Sequence, residues 1–166
     1  LFAANITWNV LMTDSILAYE DFQPDMEIAL GSYAVSADEI KDFAGRYDPQ
    51  PMHLDEEAAA GSLLGGLSAS GWHTVAIAMR LMCDGFILRS TSQGAPGVDY
   101  LNWKRPVFAG DTLSGISRVL SKRKSASRPG LGFVQVKSEF YNQNGDLVCE
   151  MENAGIMALR NPEAAE

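Results

Sequence analysis

The chain has 166 residues, 46% hydrophobic and 20% charged, the proportions of a globular protein long enough to bury a core without disulfide or metal staples. Its formal net charge of −8 excludes the broad basic surface that nucleic-acid binding needs, and no uninterrupted apolar run is long enough to cross a bilayer as a helix. Cys83 and Cys149 fall in apolar-patterned segments without CxxC spacing, so reduced core thiols of a cytoplasmic protein are expected, with no metal site.

Met12-Thr13-Asp14-Ser15 resembles a natural start, so Leu1–Leu11 are expected to be an added extension or a disordered N-terminus, and residues 12–166 one domain. The first residues lack the basic region of a signal peptide, and the sequon Asn5-Ile6-Thr7 is read as chance. Apolar positions from Met26 to Val35 around Gly31 predict a first strand with a bend over Asp25–Val35. Ser36 precedes Glu39 by three residues, a capping box that opens a helix through Ile40, Phe43 and Ala44 toward Arg46.

That helix ends at Tyr47-Asp48-Pro49-Gln50-Pro51-Met52-His53-Leu54-Asp55, where the prolines hold Asp48 and Gln50 extended. A stiff turn carrying an acid and an imidazole five residues apart can bring both to one water molecule. The plainer reading is a turn aspartate with a satisfied histidine. Asp55 reads as the cap of a second short helix that finishes at Gly61. The glycine-bearing link Leu63–Leu67 lacks the lysine of a phosphate-binding loop.

Ser70-Gly71-Trp72-His73 then opens the longest helix, to about Asp84, with apolar residues nearly all round it, so it is expected to be central and buried. Gly71 carries two readings. Without a Cβ its N–H is open to a ligand at the positive end of the helix, or the glycine relieves crowding there. His73 is expected to pack on the helix. Ser90–Gly97 reads as a polar loop, after which the period changes to two. Strands are predicted over Val98–Trp103, Thr112–Leu120, Phe133–Tyr141 and Leu147–Leu159, the last two joined by Asn142-Gln143-Asn144-Gly145-Asp146, whose Asn-Gly is a hairpin signal. Between the middle pair, Ser121–Gly130 reads as a basic loop, either a solvated hairpin end or a contact for phosphates. The order predicts an α+β layer with an antiparallel sheet around one helix.

The segment Tyr47–Asp55, together with Gly65-Gly66-Leu67-Ser68-Ala69-Ser70-Gly71-Trp72-His73-Thr74, Trp103-Lys104-Arg105-Pro106-Val107, Gly110-Asp111-Thr112-Leu113 and Ser125–Gly130, resembles the MaoC-like dehydratases, which include the (R)-specific enoyl-CoA hydratases. The likeness runs from about Tyr19 to Leu159. It implies a single hot-dog fold, a curved antiparallel sheet wrapped around one long buried helix, paired into homodimers or larger homo-oligomers by extending the sheet. It implies Asp48 and His53 as the acid–base pair and the Gly71 N–H as the oxyanion donor, with Ser70, Trp72, Arg105, Lys122, Arg123 and Arg128 against the substrate. The implied reaction is reversible addition of water to a trans-2-enoyl-CoA, giving a 3-hydroxyacyl-CoA of (R) configuration, without metal or redox cofactor. A hot-dog thioesterase and a non-catalytic acyl-binding module are the alternatives. The chain departs from its relatives at Ser70, where a histidine is often found, and at Met52, where phenylalanine is frequent.

Overall fold

The computed structural model describes residues 16–162; the expected extension Leu1–Leu11, with its sequon, lies outside them. Five antiparallel strands form one sheet in the order β1-β3-β4-β5-β2, with β1 Glu27–Ala34, β2 Tyr100–Trp103, β3 Thr112–Lys124, β4 Leu131–Tyr141 and β5 Leu147–Ala158. Between β1 and β2 lie α1 (Ala37–Tyr47), α2 (Pro51–Leu54), α3 (Glu56–Ala60) and α4 (Gly71–Gly85). This is the α+β arrangement that the resemblance implies.

Alternation along β4 decides which side of the sheet is core. Val134, Val136 and Phe140 are buried, while Gln135, Lys137 and Glu139 point to the other face. On that outer face Lys137 bridges Glu139 at 2.9 Å and Glu150 at 3.3 Å. Against the inner face packs α4, through Ile77, Ala78, Leu81 and Met82, which share a core with Leu30, Leu113, Val119, Val148 and Cys149. Each large side chain buried there is worth about 1.5–3 kcal/mol. Cys149 is fully enclosed, and burial raises its thiol pKa to about 11; Cys83 is half-buried, and both thiols are free.

The apolar residues of α4 do not all face inward, as the pattern had implied. Trp72 and Met79 stand 62% and 43% exposed on its outer side, and Ala76 shares that side. The buried residues Thr74, Ile77, Ala78, Leu81 and Met82 follow the helical repeat along one side, and the sheet packs on that side alone.

Two local devices follow the sequence. The β4–β5 loop is held by Asn142, whose side-chain oxygen accepts from the N–H groups of Asn144 and Asp146, both at 3.0 Å. Gly145 takes a positive φ there, +80°, so the expected connection Asn142–Asp146 closes on a left-handed glycine. On β1 the register shifts between Ala29 and Ser32, where the expected bend lies.

Several boundaries differ from expectation: β2 begins at Tyr100 rather than Val98, β4 at Leu131 rather than Phe133, and β5 ends at Ala158 rather than Leu159. β3 continues through Lys124, paired with Gly132, so Lys122 and Arg123 belong to a strand and only Ser125–Gly130 is loop. The backbone ladder and packing on Tyr19 and Phe133 outweigh the charged composition that had marked the stretch as loop. The polar segment after α4 runs beside β5, with hydrogen bonds from Gln93 N–H to the Ile156 carbonyl and from Ala158 N–H to the Thr91 carbonyl, at 2.8 and 3.0 Å. It covers the part of β5 that four-residue β2 leaves unpaired. Among the described residues, no helix is long and apolar enough to cross a membrane.

Candidate active site

The site is assembled where the end of α1, the single turn α2 and the start of α4 meet. Helix α1 opens at Ser36, whose Oγ accepts from the Glu39 N–H at 3.2 Å. Only this half of the capping box forms, because the Glu39 carboxylate turns instead to the Tyr33 hydroxyl at 2.5 Å. Ile40 and Ala44 bury the inner face of α1 completely, which fixes where its last turn points. Asp48 caps that turn, donating its N–H to the Ala44 carbonyl at 2.9 Å.

Pro49 and Pro51 hold the backbone between them extended, Gln50 lying at φ −80° and ψ 138°. Pro51 then starts α2 rather than prolonging the turn. A proline suits the first position of a helix because its absent N–H would have no acceptor there. His53 therefore sits on helix, not loop, and Asp55 closes this turn before capping α3 through a hydrogen bond from the Ala58 N–H at 2.8 Å.

The imidazole of His53 is 4% exposed. Its Nδ1 lies 2.7 Å from the carbonyl oxygen of Ser68. A carbonyl only accepts, so Nδ1 carries the hydrogen, and in the neutral ring Nε2 presents its lone pair. That lone pair faces Asp48 Oδ2 at 3.8 Å, too far for a direct hydrogen bond. Asp48 is held from two sides: Oδ2 accepts from Ser70 Oγ at 2.6 Å, and Oδ1 accepts from Gln50 Nε2 at 2.7 Å. These two donors, with a smaller contribution from the nearby His53, keep its carboxyl below the ordinary carboxylate value despite partial burial.

A cavity of about 340 Å³ opens beside this pair, lined by His53, Gly71 and Thr74, by apolar Met52 and Val107, and by Arg105 among others. Gly71 is the first residue of α4, so its N–H has no acceptor within the helix. Ser70 is buried and caps α4, accepting from the Trp72 N–H at 3.2 Å.

Of the sequence-predicted residues, Asp48, His53, Ser70 and Gly71 converge here, and Arg105 reaches the cavity, with its guanidinium 3.4 Å from Asp146. Trp72 is not in its lining and meets the Trp103 ring edge-on at 5.5 Å. The remaining basic residues are not in the cavity lining of this chain. Lys122 donates to the carbonyls of Tyr19 and Glu20 at 3.3 and 3.1 Å, and Arg123 lies 4.2 Å over the Phe133 ring. Arg128 is exposed in the β3–β4 turn. His73 packs as expected, stacked on Phe43 at 4.7 Å and 3.4 Å from Glu39. Sequence reasoning missed Ser68, Gln50 and Trp103. Ser68 acts through its backbone, which no side-chain pattern reveals. Gln50 was readable only as turn filler between prolines.

Comparison with known proteins bears on the family and the fold. The family model described as "MaoC like domain" matches residues 21–139. The uncharacterized protein YdeM of Bacillus subtilis is 36% identical over 121 residues, which is 73% of this chain and 84% of that protein. Among solved structures, a MaoC-like dehydratase from Rhodospirillum rubrum superposes with a TM-score of 0.77 at 39% identity, covering 87% of this chain and 99% of that one. The unliganded R-hydratase PhaJ1 of Pseudomonas aeruginosa gives 0.70 at 23% identity, over 88% of each chain, and supports the fold alone. With the family model spanning most of the described residues and the same sheet wrapped on the same helix, this chain belongs to the MaoC-like domain family and has its hot-dog fold.

Proposed function

We propose that the protein is a hydro-lyase that adds water reversibly across the double bond of a trans-2-enoyl-CoA, giving a 3-hydroxyacyl-CoA. Membership of the MaoC-like family supports hydratase or dehydratase chemistry in general. The observation that carries the finer reading is the facing pair itself: a lone pair on His53 Nε2 and a carboxylate oxygen of Asp48, 3.8 Å apart beside a cavity. Two acceptors held face to face repel unless a donor lies between them. A water molecule meets that need by offering one hydrogen to each.

With the acyl group in the cavity, the water oxygen attacks C3 and its proton passes to His53 Nε2. The C2–C3 π electrons move toward the thioester, whose oxygen gains charge and is held by the Gly71 N–H. His53 then returns the proton to C2, so one water is consumed and no other reactant is needed. Asp48 stays ionised throughout and steadies the imidazolium, because Ser70 and Gln50 favour its charged form. The reaction so written calls for no metal or redox cofactor, and coenzyme A is part of the substrate. Lys104 and Arg105 both line the cavity, and Arg105 is the residue assigned to the coenzyme A phosphates. The (R) configuration is carried over from relatives, and assembly as a homodimer through the open edge of β2 belongs to the same proposal.

Incubation with crotonyl-CoA tests the reading. Loss of the enoyl absorbance without release of free thiol is the expected result. Thiol release would instead mark a thioesterase, and neither change an acyl-binding module.

A further inference from the structure

Trp103 ends β2 and forms part of the wall of the cavity that holds His53 and Gly71. Its indole Nε1–H donates to the Gly71 carbonyl at 2.9 Å. The same edge of the ring also packs against the glycine. A Cβ built on Gly71 would come within 2.8 Å of ring carbon Cε2 and 2.9 Å of Nε1, closer than any packing tolerates. Gly71 lacks a side chain to anchor it and stands at a helix end, where the backbone frays most readily. The indole supplies the missing restraint in two ways, by contact and by hydrogen bond. The crowding reading of this glycine and the donor reading are therefore one arrangement: the absent Cβ admits the ring that holds the peptide.

We infer that Trp103 is a positioning residue for the oxyanion donor, fixing the first peptide units of α4 so that the Gly71 N–H keeps its aim into the cavity. Its polar hydrogen is used up on the Gly71 carbonyl, so it offers the substrate only an apolar wall. A donor helps a transition state in proportion to how well it is aimed beforehand. The indole acts before the substrate arrives, and its loss falls on kcat rather than on KM. This rests on the hydratase reading above.

The test is steady-state hydration of crotonyl-CoA by the full chain carrying Trp103→Phe, and by a chain with the isosteric sulfur analogue of tryptophan, benzothienylalanine, at position 103. The analogue keeps the ring and its packing and removes only the N–H. The expected result for both is a kcat lower by about 3- to 10-fold, the scale of one hydrogen bond, with KM changed less than twofold and a wild-type circular-dichroism spectrum for the analogue. A wild-type kcat in the analogue protein overturns the inference, as does an equal rise in KM with kcat unchanged. If Trp103→Phe fails to fold, the analogue alone decides. Failure of the inference stays distinct from failure of the reading it rests on: in the first case wild type hydrates crotonyl-CoA and loses this on His53→Ala, and in the second wild type has no hydratase activity at all.

Discussion

At His53 the two ring nitrogens have different tasks, and each is assigned by one contact. The Ser68 carbonyl fixes the hydrogen on Nδ1, which leaves the Nε2 lone pair for the base role in the proposed reaction. His53→Ala and Asp48→Asn are each expected to lower kcat for crotonyl-CoA hydration by about 10²–10⁴, the usual worth of an acid–base group; wild-type rates in both would remove the pair from the mechanism. Ser70 has a separate signature. Asp48 titrates below its ordinary 3.8 chiefly because Ser70 and Gln50 donate to it. A depressed folded-state value means these bonds contribute stability above the unfolded pKa and lose it as pH falls through the lower folded one. Ser70→Ala should move the Asp48 titration, followed by carboxyl NMR, upward toward 3.8. It also removes the cap of α4, at a cost of about 1 kcal/mol. An unmoved titration would mean that the Ser70 bond is not what holds the carboxylate ionised.

At the scale of elements, the site depends on where α1 stops. Ile40 is fully buried on its inner face, so Ile40→Ala should lower stability by roughly 2–5 kcal/mol in denaturant unfolding. It should also lower activity in the protein still folded, because the turn bearing Asp48 is carried by that packing. Much of this region was legible: Ser36 and Asp55 announced two caps by residue type and spacing, and both form. The turn α2 was not. Two prolines read as a rigid loop, and whether the second begins a helix depends on the Asp55 N–H reaching the Pro51 carbonyl at 3.0 Å, a contact that needs the downstream chain in place. The strand β3 was cut short for a similar reason. Lys122 and Arg123 look like loop until Tyr19 and Phe133, distant in sequence, supply aromatic faces for them.

Over the whole molecule, the outer side of α4 carries the uncovered apolar groups Trp72 and Met79, and Trp103 stands 46% exposed at the edge strand. Groups of this size left in water favour association. If two copies pair there, sedimentation should give a dimer, and Met79→Glu should shift it toward monomer without lowering the melting temperature of the monomer. A dimer unchanged by that charge would place the interface elsewhere.

The sequence by itself determined the five strands, the helices α1, α3 and α4 and their order, because caps, periodicity and turn residues act over a few positions and need no partner. It also determined which acid and which imidazole share the turn, since both lie on one short proline-bound stretch. Only the tertiary structure decided how they are used. The hydrogen is kept on Nδ1 by a carbonyl 15 residues away, the Asp48 carboxylate is favoured by a hydroxyl 22 away, and the Gly71 carbonyl accepts from an indole 32 away. Orientation and protonation are set by groups that meet only once the chain has folded, and such meetings leave no periodic trace along it.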